Sequence, residues 1–262
     1  MSPQTFAQKI LAYASGRENV GEGEVVFVEP DICLSHDNSA AIASNFEQIG
    51  VDKVRHPSRV FIALDHCVPA ANEKYAANHR SIRDFVRDNR IGAFYDVERG
   101  VCHQVLAEEG YALPGGVVVG SDSHTCTAGA FGAFAAGIGR TEAAAVWASG
   151  RIWMRVPSSI RIELSGEFPP MVGAKDLALK IIGDIGADGA LYRSVEFAGE
   201  GAASLSISDR MLLCNMAAEM GAKNAAFAPD DRTREFLDAT PNRYEKTEVW
   251  ADSGASYERT LH

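Results

Sequence analysis

No run of apolar residues in this chain approaches the ~18 needed to cross a bilayer as a helix. The amino terminus, MSPQTFAQKI, has neither the basic stretch nor the apolar core of a secretory leader. Basic residues are in deficit, with 25 Lys and Arg against 35 Asp and Glu and a net charge of −10. Gripping nucleic-acid phosphates takes a basic stripe, which this balance does not offer. Cysteine is sparse: five residues, at 33, 67, 102, 126 and 214, with no C-x-x-C pair and no zinc-ribbon spacing. An odd, scattered set reads as reduced thiols, buried or beside a site. Internal repeats and low-complexity tracts are missing too. The expectation is an acidic, soluble chain of cytoplasmic type, with no nucleic-acid and no membrane partner. Its 262 residues suffice for one large domain or two ordinary ones, and 46% hydrophobic content supports a sizeable core.

The stretch that organises the rest is Gly115–Glu142, GGVVVGSDSHTCTAGAFGAFAAGIGRTE. Val117–Val119 is β-branched and bounded by glycines, the pattern of a strand buried on both faces of a parallel sheet. Asp122, Ser123, His124 and Thr125 follow at once. In open α/β sheets, ligands sit beyond the carboxyl ends of strands. The next residues are nearly all Ala and Gly, from Ala128 to Gly139. They predict a helix so slender that another backbone or a bulky group can come close. Glycine costs such a helix about 1 kcal/mol per residue relative to alanine.

Elsewhere the pattern alternates between strand and helix. Ser2-Pro3 opens a helix with Phe6, Ile10, Leu11 and Tyr13 on its apolar face, ended by Gly16. Val25–Val28, Ile32–Leu34, Val60–Leu64 and Ala93–Phe94 read as strands. Asn72–Arg90 and Val101–Ala107 read as helices, as does Thr141–Trp153. His79 has polar neighbours and His56 precedes a proline, so both are expected in solvent. Val156-Pro157-Ser158-Ser159 is the best boundary, giving domains 1–157 and 158–262. Beyond it come strands Ile160–Leu164, Ser194–Phe197, Ser204–Ile207 and Ala225–Phe227. The helices there are Ala174–Ile185, Asp209–Met220 capped by Ser208, and Asp230–Leu237. Asn215 and Glu219, four apart, share a helix face. From Thr240 to His262 the signal is weak.

Three apolar runs end alike: His36-Asp37, Asp65-His66, and Asp122 with His124. One such ending is common, because Asp, Asn and Ser favour turns. Three in one domain predict convergence on a shared pocket. There a carboxylate beside an imidazole fixes its tautomer and tunes its pKa for proton transfer. Cys67, Cys102 and Cys126 each lie within two residues of His66, His103 or His124 and are candidates to line that pocket.

These segments resemble the aconitase and isopropylmalate isomerase family. Gly120–Thr125 with its small-residue sequel resembles the family signature. Ala63–His66, Gly100–Gln104 and Cys214–Glu219 resemble three further motifs in the family's order and at its separations, and the SGRE and SHDNS segments of the opening agree. The likeness runs over nearly the whole chain. It implies α/β architecture with three-layer α/β/α domains, here the first two of the family. It also implies an iron–sulfur hydro-lyase of amino-acid biosynthesis, isomerising a hydroxy di- or tricarboxylate of the 3-isopropylmalate type by dehydration and rehydration. The partner it implies is a small subunit carrying a swivelling domain.

Carried over position by position, the resemblance makes His66 the acid that protonates the leaving hydroxyl, oriented by Asp65. His103, Asp122 and His124 would bind the water or hydroxyl, with Glu219 as their partner from the second domain. His36 and Ser123 would touch substrate, and Asn215 would lie near a [4Fe-4S] cluster. The family's three cluster cysteines, one single and two in a C-x-x-C pair, match none of the five here. No metal ligand is therefore assigned, and the chain alone is expected to hold no cluster and to be inactive. Two other readings remain: a hydrolase whose Asp/His clusters hold zinc or manganese directly, and a non-catalytic assembly module that keeps the fold.

Overall fold

The computed structural model describes residues 2–241, 243–244 and 247–262. In chain order the elements are α1 (Phe6–Ala14), β1 (Val25–Val28), β2 (Ile32–Ser35), α2 (Ser39–Ile49), β3 (Val60–Ala63), α3 (Glu73–Asn89), β4 (Ala93–Tyr95), α4 (Cys102–Glu108) and β5 (Val117–Gly120). A 3-10 helix over Ser123–Phe131 leads to β6 (Phe134–Gly137), α5 (Arg140–Ser149) and β7 (Ile152–Arg155). Then come β8 (Ser159–Glu163), α6 (Ala174–Ile185), β9 (Ser194–Ala198), α7 (Glu200–Ser204), α8 (Ile207–Met216), a short 3-10 helix (Ala217–Met220), β10 (Asn224–Phe227), α9 (Asp231–Asp238) and β11 (Arg259–Leu261).

The strands form a five-stranded sheet in the order β4-β3-β2-β5-β6 and a four-stranded sheet in the order β10-β9-β8-β11. Both are parallel throughout. β1 and β7 pair separately as an antiparallel ribbon. The continuous apolar runs of β2, β3 and β5 exist because both faces of the first sheet are covered. Cys33, Val60, Ile62, Val117 and Val119 face one core, with Ile42, Phe46, Ile82, Val86 and Trp147 from α2, α3 and α5. Their neighbours Leu34, Phe61, Ala63 and Val118 face a second core, with Val105 and Leu106 of α4 and Leu213 and Cys214 of α8. That is the α/β layering expected of the sequence.

Several local expectations are corrected. The small-residue stretch is not a helix: it is the 3-10 turn followed by strand β6, which pairs with β5 from Phe134 to Gly137. Its small size has another cause. The second sheet comes so close that a Cβ on Gly129 would sit 1.7 Å from the carbonyl oxygen of Ala225 in β10. Asn224 spans the same seam, its Oδ1 accepting the Ala135 amide at 2.9 Å. The helix expected to run to Trp153 stops at Ser149. Gly150, at φ +77°, turns the chain into β7, whose residues alternate in and out opposite β1.

Ser204–Ile207 is not a strand, because α7 ends at Ser204 and Ser206, not Ser208, caps α8 by accepting the Asp209 amide. The first helix begins at Phe6 rather than at Ser2-Pro3, where Thr5 and Gln8 form a capping box. Its first amide, on Phe6, donates to the buried Glu196 of β9 at 2.9 Å, and Tyr257 donates to the same carboxylate at 2.8 Å. Burial raises the Glu196 pKa to about 7 against the pull of those bonds and of Arg161. The weakly patterned tail is thus tied to the body, and Trp250 packs on Phe6 with centroids 4.7 Å apart. Among the described residues no helix is long and apolar enough to cross a membrane.

The seam makes a direct prediction. Gly129→Ala forces two backbones apart and is expected to destabilise the chain by at least the ~1–3 kcal/mol of ordinary overpacking. Urea unfolding with an unchanged midpoint would show that the seam yields freely.

Candidate functional site

In the first sheet β2 lies between β3 and β5, all three parallel, so their carboxyl ends stand side by side. Each end carries one Asp/His segment, and Asp37 ties two of them together. Its Oδ2 accepts the amides of Asp65 at 2.9 Å and His66 at 2.7 Å, and its Oδ1 accepts the amide of Cys67 at 3.2 Å. Asp65 in turn accepts the amide of Cys102, the first residue of α4, at 2.5 Å. Its other oxygen is 2.6 Å from His66 Nδ1.

Asp122 is the hub on the β5 side. One oxygen is 2.8 Å from His103 Nε2 and accepts the His124 amide at 2.8 Å. The other is 3.3 Å from His66 Nε2. His124 Nε2 reaches Glu219 Oε1 at 3.2 Å, and its Nδ1 lies 3.2 Å from Ser123 Oγ. Glu219 arrives from the 3-10 helix Ala217–Met220, directly after α8. His36 stacks on His66 with centroids 3.6 Å apart and planes at 21°.

The stack pairs imidazoles of opposite tendency. Burial lowers the His36 pKa to about 4, and the facing His66 adds to this against the pull of Asp122, Asp65 and Asp37. For His66, burial acts downward, but the hydrogen bond and charge of Asp65 together with Asp122 outweigh it and leave the pKa raised. The imidazolium is therefore favoured on His66 and the neutral ring on His36. Burial alone would raise Asp122; the hydrogen bond and charge of His103 and the His124 amide hold it far below the usual carboxylate range. The sign for stability follows. Holding His66 protonated stabilises the fold below the ordinary imidazole pKa, and that contribution fades as pH climbs through the raised value.

Of the residues singled out in the sequence, Asp65, His66, His103, Asp122, His124 and Glu219 form one connected network. Ser123 and His36 adjoin it. Asn215 stands behind, donating to Thr127 Oγ1 at 2.9 Å, which donates to the His124 carbonyl at 2.7 Å. Cys67 and Cys102 meet the network through their backbone amides. The Cys126 thiol points instead at the carbonyls of Ser123 and Asn215, 3.9 and 3.7 Å away.

Two histidines differ from expectation. His79 is not solvated: it is 4% exposed, with Nε2 2.6 Å from Asp37 Oδ1. The signal was present, since His79, Ile82, Val86 and Asn89 recur at helical spacing and form the buried face of α3. His56 is half-buried beside Gly150, where it lines a small cavity with Cys33 and Trp147.

Among the described residues, the one group of potential metal ligands within 4.8 Å of one another is His36, Asp37, Asp65 and His66, with no cysteine in it. The oxygens of both carboxylates already face N–H donors, an arrangement suited to orienting imidazoles rather than coordinating a cation. Burial raises the thiols of Cys33 and Cys126 to about 12 and also pushes up those of Cys102 and Cys214. Cluster ligands are thiolates, and among the described residues no set of cysteines is gathered closely enough to form such a ligand group. A cavity of about 380 Å³ opens at Ser123, toward Lys223 and Ala218. A larger one of about 650 Å³, bounded by Tyr13, Phe27 and Arg151, shares no residue with the network.

If Asp65 is what raises the His66 pKa, Asp65→Asn will lower it. An NMR titration of the ring checks this, and an unmoved value would pass the role to Asp122.

Compared with known families, residues 8–262 match the aconitase family (aconitate hydratase). The chain is 48% identical over 259 residues to a 3-isopropylmalate dehydratase large subunit from Methanopyrus kandleri, covering 98% of this chain and 62% of that protein. It is 45% identical over 237 residues to a probable methanogen homoaconitase large subunit from Methanosarcina mazei, covering 88% and 59%. It is 42% identical over 259 residues to a 3-isopropylmalate dehydratase large subunit from Clostridium kluyveri, covering 98% and 61%. The chain thus spans about three-fifths of the length of these curated relatives.

Proposed function

The chain belongs to the aconitase family, and from that premise we propose that it is the amino-terminal portion of the large subunit of an iron–sulfur hydro-lyase. The substrate class is a hydroxy di- or tricarboxylate of the 3-isopropylmalate type, isomerised by removing and re-adding water. The observation that carries this reading is the hub at Asp122, which lies within 3.3 Å of the imidazoles of His66 at the tip of β3 and His103 of α4 and accepts the backbone amide of His124 just beyond β5. Dehydrating a hydroxy acid requires a proton for the departing hydroxyl, and a held imidazolium is suited to give it.

His66 is that acid. Asp65 holds its Nδ1, so the proton at Nε2 is the one delivered. His103, Asp122 and His124 bind the released water, and Glu219 steadies His124 from the 3-10 helix that follows α8. Ser123, which lines the neighbouring cavity, and His36, stacked on the acid, are the substrate contacts. Asn215, behind Thr127, is the residue we assign to the neighbourhood of the family's [4Fe-4S] cluster. That cluster, whose ligands this chain does not supply, would be held by the part of the longer protein outside it, and a small subunit with a swivelling domain would complete the site. We also place the division between two α/β/α domains at Val156–Ser159, where the chain leaves the β1–β7 ribbon and enters the second sheet.

The alternative of a metal ion held directly by the Asp/His cluster is disfavoured by the carboxylates' existing N–H partners. The test is His66→Ala in the complete two-subunit protein. The expected result is a fall in kcat of about 10²–10⁴-fold, the span of general acid catalysis, with KM much less affected. Turnover at the wild-type rate would end the assignment.

A further inference from the structure

The pair His79–Asp37 stands outside the proton chemistry just described, yet it lies directly beneath it. His79 comes from α3 and Asp37 from the tip of β2, and they are 4% and 7% exposed. The imidazole Nε2 lies 2.6 Å from Asp37 Oδ1. The same carboxylate collects the amides of three consecutive residues, Asp65, His66 and Cys67, at the tip of β3. We propose that His79 is a positioning residue for His66: by fixing the Asp37 carboxylate, it fixes the direction in which His66 leaves the sheet.

The physical argument begins with the Asp37 side chain. A carboxylate turns about its last bond in a broad, two-fold well. A second donor on one oxygen removes that freedom, and His79 supplies it on Oδ1. Oδ2 is then left aimed at the Asp65 and His66 amides. Burial alone would raise the Asp37 pKa, but the bonds from His79 and from those amides bring it below the ordinary value, so the ionised acceptor is the form that is held.

The backbone of His66 is thereby located from below. Its ring is located from the sides, with Asp65 at 2.6 Å on Nδ1 and Asp122 at 3.3 Å on Nε2. Asp65 is itself pinned by the Cys102 amide. The longest of these contacts, to Asp122, crosses from β3 to β5 and is the first lost if the turn tips. Misplacing a reacting group by about 1 Å can cost on the order of 10²-fold in rate. A purely structural His79 would differ in its effects: it would hold α3 on the sheet, and its loss would lower stability without altering the surroundings of His66.

This inference rests on the function proposed above only for its kinetic readout. The test compares His79→Leu, which fills the space without a donor, with His79→Gln, which keeps an N–H. In this full chain, NMR titration of His66 is expected to show its raised pKa falling in His79→Leu and largely restored in His79→Gln. In the complete two-subunit protein, kcat is expected to fall about 10–100-fold in His79→Leu, the range seen for residues that orient a functional group from behind, with KM within about 3-fold. An unchanged His66 titration and kcat in His79→Leu, whatever happens to the melting temperature, overturns the proposal. Should His79→Leu not fold, the isosteric Asp37→Asn is read in its place, with the same shift of His66 expected and an unmoved His66 refuting the role. If the wild-type complete protein dehydrates no hydroxy acid, the proposed function fails, while the His66 titration still decides the positioning.

Discussion

Because β3, β2 and β5 run parallel and side by side, their carboxyl ends finish at one level, each about 4.8 Å from the next. Three Asp/His segments stand on those ends, and Asp37 and Asp122 stitch them into one network. An antiparallel neighbour would have sent one segment to the opposite edge. The network is also costly to assemble, since with His79 beneath Asp37 it gathers four carboxylates and five imidazoles. It is tolerated because nearly every oxygen in it faces an N–H. Where the pairing is incomplete, at the buried Nδ1 of His36, the ring escapes the penalty of burying a charge by staying neutral.

The second constraint is the seam between the two sheets. Glu219 reaches His124 only because the 3-10 segment after β5 lies against β10 and α8, and that approach leaves no room for a side chain at Gly129. The run of Ala and Gly is therefore one cause with two effects. It brings the Glu219 carboxylate, from the 3-10 helix that precedes β10, up to the first sheet, and it lets β6 sit edge-on to β10 with Asn224 satisfying the Ala135 amide between them.

Much of this was legible in the residues. The β-branched runs gave the buried strands, and the repeated Asp/His endings gave the meeting of strand tips. What failed did so for physical reasons. The tiny residues from Ala128 to Gly139 carry almost no periodicity, so a 3-10 turn and a strand looked like a helix. Trp153 looked like the end of α5 until the left-handed Gly150 placed it in a two-stranded ribbon. Ser204–Ile207 alternates like a strand, but Ser206 prefers to cap the next helix. His79 was assigned by its polar neighbours in sequence, when its neighbours in space, three and seven residues on, were apolar. Beyond Thr240 the described residues show little pattern because they are held by scattered contacts, Trp250 on Phe6 and Tyr257 on Glu196, and by a strand of only three residues, β11 on β8.

The seam has a dynamic consequence. Within the network the bonds divide by origin: Asp37, Asp65, His66, His103 and Asp122 all belong to the first sheet and its α4, whereas Glu219 is held from across the contact at Gly129. A sliding excursion of one sheet along the other would strip Glu219 from His124 and leave the remaining imidazoles in register. Opening events of this kind require far less than global unfolding. Such a site would lose its members in a fixed order, outermost carboxylate first, and regain them in reverse as the two sheets settled back together.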